Sequence, residues 1–136
     1  MRFITVLLLL LLATCLAGCS DAPGTIKLKQ LLQQQFDQQY DGLINIAQLE
    51  KLNGWSDSET QYIVEVSYDI EFKQSFKSYI DAQTAKPGNV LEKVASGMAA
   101  GLLKLQYGDF KAGDVYQVKQ QKITLRMTEN GWALTD

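Results

Sequence analysis

The stretch that decides the fold is Tyr62–Lys73, YIVEVSYDIEFK. Tyr62, Val64, Val66, Tyr68, Ile70 and Phe72 share one parity, and Ile63, Glu65, Ser67, Asp69 and Glu71 share the other, continued by Lys73. Successive side chains of a strand point to opposite faces, so this alternation predicts a long antiparallel strand with one buried face. Before it, residues 53–58 (NGWSDS) read as a turn-rich loop. Residues 43–53 fit helical and strand periods alike, although Ile44 and Ile46 favour a strand. Further back, a helix is expected over 25–41. Leu28, Leu31, Leu32, Phe36, Tyr40 and the following Leu43 fall on one arc, Thr25 is placed to cap it, and Asp41-Gly42 to end it. Six glutamines fill the rest of that helix and read as a solvated face.

Downstream of the strand, residues 78–86 show no period and end at Pro87-Gly88. Asn89 with Glu92 three residues on has the form of a capping box, and a helix is expected to Tyr107, closed by Gly108. On that helix Val90, Val94, Leu105, Met98, Leu91, Leu102 and Ala95 form one apolar arc of about 140°. An arc this wide normally covers a core, so it is expected to pack on the protein's own sheet. Gly97 and Gly101 lie at one edge of it, and Leu103 sits among the polar residues opposite. The alternative is that Gly97, Gly101 and Leu103 mark where a partner docks, since small residues four apart admit another backbone.

From Gly113-Asp114 a strand region follows. Tyr116 and Val118 share one parity while Ile123, Leu125 and Met127 share the other, so a bulge or a break is expected at Gln120-Gln121. Asn130-Gly131 reads as a two-residue hairpin turn before a last strand at Trp132-Ala133-Leu134. The order is helix, strand, strand, helix, strand, strand. The economical solution is an α+β domain: a four-stranded antiparallel meander, the first helix across its concave face, the second helix inserted between the strand pairs. This resembles a cystatin-like arrangement in element order only. No residue motif of that family is present, and no inhibitory function is implied.

The chain opens with Arg2, an apolar run over 3–13 containing six consecutive leucines, and then Leu16-Ala17-Gly18-Cys19. A basic start, a short apolar core and small residues form a secretory signal. The tetrapeptide resembles the lipobox of bacterial lipoproteins, in which the cysteine is acylated and the signal cut before it. The resemblance implies a signal peptide over 1–18, a lipidated tether over 19–24 that begins at Cys19, and one domain over 25–136. An uncleaved anchor is the plain alternative, but sixteen residues fall short of the roughly 20 that span a bilayer. Two or more acyl chains hold a protein stably at a membrane. Ser20, where such lipoproteins carry aspartate when retained in the inner membrane, implies the outer membrane, facing the periplasm, ahead of the inner membrane, with Asp21 one place beyond the retention position.

Loss of Arg2 leaves twelve basic against fifteen acidic residues, a net charge of about −3 without basic clusters, so nucleic acid is not an expected partner. With Cys15 removed and Cys19 acylated, the domain holds no thiol and must rely on packing. Histidine is absent, which excludes Ser-His-Asp and Cys-His catalysis and His-ligated metals. Neither G-x-G-x-x-G nor G-x-x-x-x-G-K-[ST] occurs, and neither metal nor cofactor is expected. Glu65, Asp69 and Glu71 share a strand face and allow carboxylate chemistry or cation binding. A solvated sheet face crossed by Lys119, Lys122 or Arg126 accounts for them as well. Trp55 and Trp132, each following Asn-Gly, are placed either as a binding lip or as plugs of the core. The expectation is a membrane-anchored, non-catalytic module that binds or assembles with an envelope protein. The runner-up is a carrier of a small apolar ligand in the sheet concavity, lined by Tyr62, Tyr68 and Phe72, and a carboxylate-based enzyme ranks third.

Overall fold

The computed structural model describes residues 22–135. The elements are α1 (Thr25–Tyr40), β1 (Ile44–Ser56), β2 (Gln61–Phe72), α2 (Phe76–Ala85), α3 (Val90–Tyr107), β3 (Val115–Thr128) and β4 (Gly131–Leu134). The four strands form one antiparallel meander in the order β1-β2-β3-β4. The fold is the α+β arrangement expected from the sequence, with the ambiguous segment before residue 53 forming strand from Ile44 onward. Two helices, rather than one, are inserted between the strand pairs.

β2 is an inner strand, and Val64, Val66, Tyr68, Ile70 and Phe72 are all buried. Leu28 and Leu32 of α1 lie on this face with Ile44 and Ile46 of β1 and Ile123 and Leu125 of β3. Burying such a side chain is worth about 1.5–3 kcal/mol, so this one apolar layer is the main stabilising feature of a domain without a disulfide. Gly24 rather than Thr25 is the N-cap of α1, and Asp41 in the left-handed region (φ 53°) with Gly42 (φ 73°) ends it. Gln33 departs from the solvated glutamine face. Its Oε1 accepts the N–H of Ile46 at 2.8 Å and its Nε2 donates to the carbonyl of Ile44 at 2.8 Å. The side-chain amide thus stands in for a neighbouring strand at the open edge of β1.

β1 continues through Asn53, Gly54 and Trp55, which pair with Glu65, Val64 and Ile63, so the turn-rich loop expected there is strand. The turn proper lies at residues 57–60. Residues 78–86, read as irregular, belong largely to α2. Its cap is Ser75, whose hydroxyl accepts the N–H of Ser78 at 3.1 Å, and Phe76, Tyr79 and Ile80 turn toward the core at helical spacing. α3 opens on the expected capping box, with Asn89 and Glu92 each accepting the other's backbone N–H at 2.9 Å. The bulge in β3 is also where the parity slip placed it. Val66 pairs with Gln121 and Tyr68 with Val118, so one extra residue of β3 is accommodated there. The last hairpin turns one residue earlier than expected, on Glu129-Asn130, because Gly131 (φ 97°) already pairs with Thr128.

Candidate functional site

Cys19 lies outside the described residues. Among the described residues no helix is long and apolar enough to cross a membrane. No group of His, Cys, Asp or Glu among them is arranged to hold a metal ion.

The three residues expected to line a pocket are distributed along β2 and packed against different neighbours. Tyr62 meets Trp132 at 5.9 Å between ring centroids. Tyr68 meets Phe36 edge-on at 6.4 Å, and Phe72 stacks on Phe110 at 3.8 Å. Of the three, Tyr68 alone borders the groove of about 700 Å3 between α1, the end of α3 and β3, together with Phe36, Tyr107, Tyr116, Val118 and Gln121. The concavity is otherwise filled by α1. Burial pushes the phenols of Tyr68 and Tyr107 up to about 12. Both are therefore neutral donors at neutral pH, and the Tyr68 hydroxyl donates to Oε1 of Gln121.

The acidic face of β2 is crossed by polar neighbours. Glu65 faces Lys122 at 3.8 Å, as the cross-strand expectation had it, and Glu71 accepts from Nδ2 of Asn45 at 2.7 Å. Asp69 stands between Ala47 and Gln117 in the strand register. Lys122 also lies over the ring of Trp55, 5.6 Å from its centroid. Such partly exposed pairs are worth under about 1 kcal/mol each.

α3 is turned opposite to the sequence expectation. Leu103 is 2% exposed and packs into the core, so it leaves the candidate partner surface. The apolar arc faces solvent instead: Val90 is 80% exposed, Leu91 77%, Met98 68%, Leu102 65% and Leu105 85%. Val94, in the same arc, is 54% exposed. Gly97 and Gly101 are exposed as well, and a Cβ built at either meets nothing within 4 Å, so no internal close contact accounts for them. The physical reason is occupancy. Leu28 and Leu32 of α1 already cover the middle of the sheet, while Phe110, stacked on Phe72, covers its end. What remains for α3 is a narrow seat taken by Leu103 and Tyr107, the latter edge-on to Phe72 at 5.4 Å.

That seat is shallow. A hollow of about 380 Å3 lies between α2 and the first half of α3, bordered by Ile80, Thr84, Pro87, Ser96 and Gly97. A smaller one of about 110 Å3 lies under Ala99, Ala100 and Leu103. A well-capped helix is held by its C-terminal half and presents its more apolar side outward. The signal that would have found this in the sequence is Leu103 itself, with Tyr107 four residues on, a short apolar row on the side of α3 away from the arc. Comparison of the chain with protein-family models, with curated proteins and with solved structures found no match.

Proposed function

We propose that this protein is a lipid-anchored lipoprotein of the cell envelope, held at Cys19 in the outer membrane facing the periplasm, and that it acts as a non-catalytic binding or assembly module. The observation that carries the reading is the exposed arc of α3. Large contiguous apolar patches on a folded domain mark interaction surfaces, since water disfavours them unless something covers them. The lipobox-like Leu16-Ala17-Gly18-Cys19 supplies the anchorage.

Two measurements test the two halves. Cys19→Ala is expected to abolish fatty-acid labelling of the chain, and labelling that survives would refute the anchor. Leu91→Gln with Leu102→Gln is expected to dissolve any envelope complex seen on native gels while leaving the thermal unfolding of the domain unchanged. A complex that persists in that variant would refute the docking role. The groove at Tyr68 favours a second reading, a carrier of a small ligand. A rise in unfolding temperature with a bound ligand, lost in Tyr116→Ala, would support it.

A further inference from the structure

A ridge and a channel run side by side on α3. Val90, Val94, Met98 and Leu102 stand four residues apart and form the ridge, while Gly97, Gly101 and then Leu105 make up the adjoining row. The space above both glycines is open, so the row is a channel one side chain deep. We propose that this face is the interface of a homodimer, in which the ridge of one copy seats in the glycine row of the other about a two-fold axis. The inference rests on the reading of the arc as a docking surface and names its occupant as a second copy of this chain.

Three features favour a second copy. The first is self-complementarity. A two-fold interface applies the same patch to itself, and adjacent rows at i±4 spacing interdigitate in the commonest class of helix pair, crossing near −50°. The second is charge. Any charged residue near a two-fold axis would face its own copy, and the arc from Val90 to Ala95 around the helix carries none. Lys104 is drawn off toward α2, its Nζ 5.4 Å from the centroid of the Phe76 ring. The third is area. At the observed exposures the six large residues of the arc present on the order of 800 Å2, more than the largest patch usual on a monomer and enough to supply most of the area one partner buries in a standard-size interface.

The bilayer is the other apolar surface to consider, and the position of the arc disfavours it. The start of α1 lies at the Tyr62 end of the sheet, where Lys51 Nζ reaches both the Pro23 carbonyl and the Tyr62 hydroxyl at 3.5 Å. The last turn of α3 sits on Phe72, at the far end of β2. Ten residues of strand separate the two ends, about 33 Å.

The test uses the full chain in its membrane, carrying Met98→Cys and treated with copper phenanthroline before a non-reducing gel. A band at twice the mass of the chain is expected, absent from the parent and from a Glu59→Cys control in the β1–β2 turn. Adding Leu91→Lys and Leu102→Lys is expected to cut its yield at least about tenfold, since two charges would be buried without partners. If those lysines unfold the domain, Gly101→Leu, which fills the channel without adding charge, gives the same reading. An adduct of any other mass overturns the homodimer but leaves the docking role standing. Absence of an adduct overturns the homodimer, and the native-gel behaviour of Leu91→Gln with Leu102→Gln then decides the docking role. Protection of the introduced thiol from a water-soluble maleimide until detergent is added would then assign the face to the bilayer.

Discussion

Gly54 and Tyr62 show how one residue sets the path of another. A Cβ at Gly54 would lie 2.8 Å from the Tyr62 hydroxyl oxygen, 2.9 Å from its Cε1 and 2.8 Å from Cε of Lys51. The Tyr62 ring therefore crosses β1 only because no side chain stands there. Gly54→Ala is expected to displace the ring and lower stability by about 1–3 kcal/mol, the usual range for overpacking, read as a lower unfolding temperature. Tyr68 carries a pH dependence. Its phenol is held at about 12 by burial, above the ordinary value near 10. The unfolded chain thus releases this proton before the folded one does. The stabilisation is complete below pH 10 and is lost as pH rises through 12, by about 2 kcal/mol for this group. Tyr68→Phe is expected to flatten that part of the stability profile, which alkaline denaturation measures. An unchanged profile would mean that the phenol is not shielded as described.

At the scale of elements, α3 offers a comparison between adjacent residues. Leu103 is 2% exposed and Leu102 is 65% exposed. Leu103→Ala is expected to cost about 2–5 kcal/mol in the isolated domain, the range for a buried leucine. Leu102→Ala, measured at high dilution so that association does not contribute, is expected to stay within about 0.5 kcal/mol. Urea unfolding of the two variants checks the orientation of the helix directly, and the reverse order would place the apolar arc inside. The capping box makes a smaller contribution. Asn89→Ala removes the acceptor for the Glu92 N–H and is expected to cost about 1 kcal/mol, chiefly by fraying the first turn of α3.

For the molecule as a whole, two surfaces stand in contrast. The outer face of the sheet carries Glu65 against Lys122 and Glu71 against Asn45, and these contacts satisfy polar groups where they are. Glu65→Gln, Asp69→Asn and Glu71→Gln together are expected to leave the fold intact within about 0.5 kcal/mol each and to leave association unaltered. Stoichiometric calcium binding by the parent chain, lost in that triple variant, would instead make the face a cation site. The helical side of the molecule is where the apolar arc remains uncovered, and association is expected to depend on it alone.

The sheet and its order were legible in the sequence because β2 has a buried parity that no helical period imitates, and because the slip at Gln120-Gln121 calls for a bulge or a break, of which the continuous β3 takes the bulge. The capping box of α3 and the Asp41-Gly42 terminus of α1 were legible for a similar reason: each is a local hydrogen-bond or backbone requirement met within a few residues. α2 was hidden because its cap, Ser75, precedes a stretch with only Phe76, Tyr79 and Ile80 to mark a period. Residues 53–56 were hidden because Asn53-Gly54 has turn chemistry, whereas the glycine serves to admit Tyr62. Which way α3 faces was a tertiary matter. An apolar arc specifies that a helix seeks cover but not whose, and in this chain α1 and Phe110 fill the sheet first. Leu103 and Tyr107 take the seat that remains, and the wider arc is left exposed.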